Sequence, residues 1–517
     1  MRPVDPPALK AMLTDGQELA LVDLREELIF SQNHLLWARS VPLSRLELKF
    51  ARLVPRHTTR IVLCDDGDGL VERAARILAE AGYTDLSYLH GGVAAWGKAG
   101  LELFSGVNVP SKAFGEHVEH VSHTPSISAN ELEALLRDRT DLVVVDSRPF
   151  DEYQRVSIPG ATSVPGAELV LRIHDIAPSP ETTVVVNCAG RTRSIIGAQS
   201  LINAGVPNKV VALRNGTMGW SLAGFTCETN DNRRAPKPSA GGLAWAQTAA
   251  RQVAARFGVP RIERTALEAF RTDATRTVYL FDVRDPPEYA AGHVAGAVSV
   301  PGGQLVQATD QYAGTLGARI VLVDDTEVRA AMTASWLRQM GWRDVFVLVE
   351  SGSEREAPAS PVLGPIPPAD RGIDAEELSD LVADNHVTVV DLSLSSTYRK
   401  GHIPGAWFAI RSRLAQVLAK IPMNGELVFT SEDGVLAGLA AAENRRPARY
   451  LRGGNLAWQA AGFTFASEPR MADEPLDVWL KPYERGNDTT RAMSEYLAWE
   501  TDLLPRIERD GTTRFLA

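Results

Sequence analysis

The sequence predicts an α/β protein of four tandem units, each a parallel sheet flanked by helices, followed by a helical C-terminal tail. Three observations predict it. A short apolar run ending in Asp recurs four times: LALVDLR at Asp23, LVVVDSR at Asp146, VYLFDVR at Asp282 and VTVVDLS at Asp391. A second run follows in each unit (RIVLC, TVVVN, RIVLV, ELVFT) and leads into a helix-like segment. A third run brings glycines and, in three units, a tryptophan: YLHGGVAAW, ALRNGTMGW and YLRGGNLAW. Short Val-rich runs bounded by polar residues read as strands buried on both faces. Strands alternating with helices imply βαβ units, and their recurrence marks a repeat architecture.

In chain order, residues 1–105 form the first unit and 120–230 the second. Residues 231–260 are a linker, DNRRAPKPSAGG, and a helix, LAWAQTAARQVAARFG, whose apolar stripe is expected to pack on a neighbouring unit. The third unit spans 261–357 and carries only VLVESGSE where the others have the Trp motif. EREAPASPVLGPIPPADRG separates it from the fourth unit, 370–468. Residues 469–517 are no fifth unit. TTRAMSEYLAWETDLLPRIERDG reads as a helix interrupted at Pro505, with Met493, Tyr496, Leu497, Trp499 and Leu503 facing inward.

The spacing fixes a register between units. Eleven residues past each Asp lie His34, Ser157, His293 and His402. Asp146 to Cys188 is 42 residues, and the same count leads from Asp23 to Asp65 and from Asp282 to Asp324; in the fourth unit Ser431 matches after 40. Cys188 to the helix-ending Gly205 is 17 residues, as are Asp65 to Gly82 and Asp324 to Gly341. One unit thus has a cysteine where the others have Asp or Ser. Cys64 lies one residue short of that register.

Composition narrows the function. The 517 residues are 44% hydrophobic and 23% charged, with a net charge of −10. That charge argues against a general nucleic-acid binder. No apolar run reaches the roughly 20 residues of a membrane span, and the N-terminus shows no signal core. A cytoplasmic protein without membrane partners is expected. Three cysteines cannot build a disulfide framework, and no Cys/His cluster has metal-site spacing. No metal or cofactor is expected. The oligomeric state is not legible.

The ordered set resembles the rhodanese domains, the sulfurtransferases. It comprises D-x-R with a Glu and an aromatic after it, then G-H-[IV]-x-G-A, then strand–Cys–loop–helix, then G-x-x-x-W. The resemblance covers nearly residues 1–468 as four tandem rhodanese-like domains and is strongest in the second. It implies that Cys188 is the nucleophile of one active unit beside three inactive ones. It further suggests that Arg148 binds or orients the active loop, with Asp146 and Glu152 in support; an internal ion pair that only stabilises the unit is the equal alternative.

Physical reasoning about VVVNCAGRTRS supports that assignment. Ligands of parallel α/β sheets bind beyond the carboxyl ends of strands, where Cys188 sits. The helix expected at Ser194–Ala204 presents unpaired N–H groups and the positive end of its dipole. Its expected buried face is Ile195, Ile196, Ala198, Leu201 and Ile202. Gly190 is expected to let the loop curl so that the amides of Ala189 to Ser194 form an anion nest. Arg191 and Arg193, on either side of Thr192, are expected to add two fixed charges. Such surroundings favour a thiolate over a thiol. The same cradle suits thiosulfate, whose sulfonate end arginine binds well. The thiolate attacks the outer sulfur, sulfite leaves, and a thiophile such as cyanide or a thiol removes the sulfur from the Cys188 persulfide.

The loop is C-x4-R, one residue shorter than the C-x5-R of cysteine phosphatases, and short loops are what sulfurtransferase members of the family have. A phosphatase or arsenate reductase is the lesser alternative. A scaffold that docks partners or senses sulfur anions, with Cys188 as a redox switch, is the other. Cys64 reads as a strand residue and Cys227 as a surface or packing cysteine, with a resolving thiol the lesser alternative. His293 and His402 read as turn residues, and Trp220 as core packing.

Overall fold

The computed structural model describes residues 1–516 except 351, 360, 366 and 487; Ser351 of VLVESGSE and Ser360 and Ile366 of the linker after the third unit therefore lie outside the described residues. Four parallel sheets carry the chain. In the second unit the strands are Ser126–Ile127, Leu142–Asp146, Thr162–Ser163, Thr183–Asn187 and Val210–Leu213, ordered first–fifth–fourth–second–third. The first and third units repeat that order, and the fourth adds Arg470–Met471 as a sixth strand beside Trp407–Phe408.

Alternation along the valine runs explains why the sheets are covered on both faces. Val184 and Val186 point into a core that also holds Ile320 and Leu322 of the third unit. Val185, between them, points to the opposite face with Val144, Val211 and Leu213. The second and third units thus share one continuous core. The helix Ala240–Arg256, capped by the Ser239 hydroxyl, buries Ala246, Ala249, Ala250 and Val253 in it.

The pairing registers confirm the spacing argument. Asp146 faces Asn187, Asp23 faces Cys64, Asp282 faces Val323 and Asp391 faces Thr430. The next residues, Cys188, Asp65, Asp324 and Ser431, are structurally equivalent.

Several local expectations are corrected. The active-loop helix is Thr192–Asn203, beginning two residues early, and Ile202 is 37% exposed rather than buried. The tail breaks at Asp502 into Thr489–Thr501 and Leu503–Asp510. Pro505 lies in the first turn of the second helix, where a missing N–H costs nothing. Met493, Leu497 and Leu503 are buried, while Tyr496 and Trp499 are half-buried. A helix at Val109–Ser122 stands between the first two units, where the sequence reading placed no element.

The units are tied by side-chain contacts across their boundaries. Arg411 of the fourth grips Glu47 of the first with both guanidinium nitrogens at 2.7 Å. Glu18 of the first accepts from Thr277 of the third. Arg329 of the third pairs with Glu168 of the second at 2.6 Å. The tail reaches the first unit, the helix after it and the third unit: Lys10 pairs with Asp510, Lys112 with Glu500 at 2.9 Å, and the Leu516 N–H donates to Gln339. Among the described residues, no helix is long and apolar enough to cross a membrane.

Candidate active site

Cys188 follows the central strand Thr183–Asn187 and precedes the helix beginning at Thr192. Its side chain is only 2% exposed, but it lines a cavity of about 220 Å³. The loop's carbonyls are held from behind: the Thr217 N–H donates to Cys188 O at 2.9 Å and the Met218 N–H to Ala189 O at 3.0 Å. That clasp explains the glycine of G-x-x-x-W. Gly216 has φ +53°, and a Cβ there would stand 2.2 Å from Cys188 O. Gly92 and Gly454 hold the same place against Asp65 O and Ser431 O.

With the carbonyls committed, the amides remain. Among the described residues, none of the N–H groups from Ala189 to Ser194 donates to a protein acceptor. Three belong to the first turn of the helix, where no intrahelical partner exists. Such a row of donors is an anion receptor. Gly190 serves it differently from expectation. Its φ is not positive; a side chain there would meet Met218 Cε at 2.9 Å and Glu500 Oε2 at 3.0 Å, so it is small for want of room.

The charged side chains divide. Arg191 also lines the cavity, but its guanidinium is committed to carboxylates. Its Nε and Nη2 donate to Glu116 at 2.8 and 2.7 Å, and it also pairs with Glu119, both on the helix Val109–Ser122. Arg193 lines the cavity as well, with Nη2 on Glu152 Oε2 at 2.9 Å and Nη1 3.5 Å from Gln304 of the third unit. The hydroxyls are struts as well: Thr192 donates to Glu500 at 3.5 Å and Ser194 to Arg191 O at 2.8 Å. The side chains of these two residues are therefore committed elsewhere; Thr192 lines the cavity, and Ser194 stands behind it.

Arg148 and Asp146 form a buried pair, Nε to Oδ1 at 2.9 Å and Nη2 to Oδ2 at 2.7 Å, completed by Asn187 on Asp146 and by Val156 O accepting from Arg148. Asp23–Arg25 and Asp282–Arg284 repeat the pair in units without a cysteine in the loop. It braces the strand end and does not reach the cavity. Glu152 supports Arg193 rather than Arg148. Burial alone would raise its carboxyl, but Arg193 and Lys481 hold it well below the usual carboxylate range.

The other singled-out residues are structural. Cys64 is fully buried, and burial together with Asp23 pushes its thiol far up. Cys227 packs beside the second unit's core, and burial raises its thiol too. His293 and His402 bind the carbonyls of Tyr289 and Tyr398 in their turns. Trp220 Nε1 donates to Thr226 O at 3.0 Å, as Trp96 and Trp458 do at their own loops.

Several cavity residues come from outside the second unit. Lys112 stands on the helix between units, Gln304 and Gln307 belong to the third, and Trp479, Lys481, Tyr483 and Tyr496 to the tail. The short, charged and aromatic stretch DVWLKPYERG was the available signal for the tail. Among the ionisable side chains lining the cavity, four are cationic and one, Glu152, is a carboxylate.

The four repeats each match the family model described as the rhodanese-like domain, over residues 5–99, 128–223, 265–354 and 374–461. The chain belongs to the rhodanese family. Its whole length aligns with the crystal structure of a thiosulfate sulfurtransferase from Pseudomonas aeruginosa, at 48% identity over 100% of both chains and a TM-score of 0.97. Curated relatives match one stretch each. The HTH-type transcriptional regulator Rv0324 of Mycobacterium tuberculosis is 32% identical over 17% of this chain and 38% of its own length. From the same species, the protein named probable adenylyltransferase/sulfurtransferase MoeZ is 31% identical over 18% of this chain and 24% of its own. The match thus spans less than two fifths of either curated relative.

Proposed function

We propose that the protein is a thiosulfate sulfurtransferase with one catalytic centre, Cys188, and that its partners are a small sulfur donor and a thiophilic acceptor. The observation that carries this reading is a cysteine lining a cation-rich cavity, followed by six amides with no protein acceptor among the described residues. The full-length likeness to the Pseudomonas aeruginosa enzyme supports the choice of donor.

The Cys188 thiolate attacks the outer sulfur of thiosulfate. The sulfur–sulfur bond breaks, and sulfite departs with its electron pair. The amides of residues 189–194 receive the charge on the terminal sulfur of the resulting persulfide, as preorganised donors do for a developing anion. Cyanide, or a thiolate, then takes that sulfur, giving thiocyanate or a new persulfide and restoring the thiolate. The two half-reactions predict ping-pong kinetics.

Intact-mass measurement after mixing with thiosulfate tests the reading. Cys188 is expected to gain about 32 Da, the mass of one sulfur, which cyanide then discharges as thiocyanate. A protein that binds thiosulfate but neither gains that mass nor releases thiocyanate would instead be the sensing scaffold.

A further inference from the structure

We propose that Lys481, carried by the C-terminal extension, is the specificity-determining cation of the Cys188 cavity and selects small oxyanionic sulfur donors by their charge. The inference rests on the sulfurtransferase reading above and deepens it.

Most of the cations around the cavity are already paired. Arg191 is neutralised by Glu116 and Glu119 behind the loop. Lys112 is paired with buried Glu500. Two cations remain, Arg193 and Lys481, and they share one carboxylate. Arg193 Nη2 lies 2.9 Å from Glu152 Oε2, and Lys481 Nζ lies 3.1 Å from Oε1. The trio carries one excess positive charge. The side chain of Arg193 is 14% exposed and that of Lys481 38% exposed, so the lysine is the more open of the two. An ammonium has three donors; Glu152 uses one, and the Tyr483 side chain stands against the same ammonium. The others can make charge-assisted bonds to a sulfonate while its outer sulfur meets Cys188.

Lys481 is a placed residue, not a loose surface lysine. Its N–H donates to Glu484 Oε2 at 3.1 Å, closing the short turn Pro482–Glu484. Glu484 in turn pairs with Arg155 of the second unit at 3.0 Å, and Pro482 is buried. Burial works against the Lys481 ammonium, but Glu152 and, after it, Tyr483 outweigh burial and hold it above its ordinary value, so it is charged at neutral and mildly alkaline pH.

The test uses the full chain and two donors of nearly equal shape, thiosulfate, a dianion, and methanethiosulfonate, a monoanion, each with cyanide as acceptor. Lys481→Met is expected to raise KM for thiosulfate about tenfold, as losing a charged hydrogen bond does, with kcat within about twofold and KM for methanethiosulfonate up about threefold or less. Lys481→Arg is expected to restore most of the thiosulfate KM. Equal rises for the two donors would mean a structural role and overturn the proposal, as would an unchanged thiosulfate KM in a folded Lys481→Met. If the wild-type protein fails to form the persulfide, the sulfurtransferase reading falls instead, so the two failures are distinguishable.

Discussion

In the first unit, the loop after the central strand closes on its own side chain. Asp65 accepts the N–H of Gly67 at 2.9 Å and of Val71 at 3.1 Å. In the third unit Asp324 accepts from Thr326 and the Arg329 N–H, and in the fourth Ser431 Oγ accepts from Gly434 and Ala437. The second unit has the same strand register and the same glycine clasp but a cysteine at that place, and its amides keep their capacity. The comparison shows what the fold does by default: the loop gathers donors around one acceptor. Where the acceptor is built in, the unit is a self-satisfied structural module. Where a thiol stands there instead, the donors are left for a charge that chemistry creates on sulfur.

The surroundings follow the same division. Asp66 and Asp68 stand beside the first unit's loop, and Arg25 is spent on Asp23 and Asp66. The third unit keeps the arginine five residues past the loop start, Arg329, and the Glu equivalent to Glu152, Glu288, paired at 2.5 Å. There Arg329 crosses to Glu168 of the second unit, while Arg193 of the second crosses to the equivalent residue of the third, Gln304. The exchange is reciprocal. It gives the third unit a task it performs without a nucleophile, holding one wall of the active cavity.

The sharpest way to break the comparison is Cys188→Asp, which copies the first unit's solution into the second. Thiocyanate formation is expected to fall by more than about a thousandfold. Because the new carboxylate finds its amides ready, the melting temperature should stay within about 3 °C or rise. A variant that unfolds at far lower temperature would show that the two loops are not equivalent.

Next in size is a pair of glycines. Gly216→Ala and Gly92→Ala each force a Cβ against a loop carbonyl in a left-handed backbone, and each should cost about 3 kcal/mol in chemical denaturation. Only Gly216→Ala should also lower kcat, by about a hundredfold, because it displaces the Cys188 loop. Equal kinetic losses would contradict the assignment of catalysis to one unit.

A third pair separates two arginines that look alike in sequence. Arg193→Ala should raise the thiosulfate KM about tenfold. Arg191→Ala should move KM less and instead cost about 3 kcal/mol of stability, since it leaves Glu116 buried and unpaired. Its thiosulfate KM equalling that of Arg193→Ala would restore the arginine to the cradle.

The smallest effect concerns pH. Glu152 is held below its ordinary value in the folded state, so its contribution is full above about pH 4.3, the unfolded value, and is lost as pH falls toward the folded one. Glu152→Gln should be less stable than wild type at pH 7 by about 2 kcal/mol. Urea titrations at pH 7, 4 and 3 should show that gap closing. A constant gap would mean that the carboxylate's charge is not what stabilises the pair.

Much of this was legible in the residues. The valine runs fixed which segments are central strands, and counting from each Asp placed Cys188, Asp65, Asp324 and Ser431 in one position before any sheet was seen. The pairs Asp146–Arg148, Asp23–Arg25 and Asp282–Arg284 were visible because two residues apart at a strand end is a local distance. The partner of Arg191 was not visible. Glu116 and Glu119 lie more than 70 residues earlier, on a helix whose pattern the sequence reading did not assign. Glu152 and Arg193 are each legible as candidates, but the bond between them is not, since nothing in their spacing says which arginine a carboxylate 41 residues away will face.

What the sequence determined by itself was therefore everything set by local pattern: four repeats, the strand ends, the odd cysteine, the donor-rich turn after it. Those depend on periodicity and backbone chemistry, which act over a few residues. What only the tertiary structure decided was the charge the cavity keeps and the walls that enclose it. Lys481 meets Glu152 across 329 residues, and Gln304 meets Arg193 across 111. Long-range electrostatic pairing is settled by how whole units dock, because a charge takes whichever opposite charge the packed surfaces bring within a few ångströms.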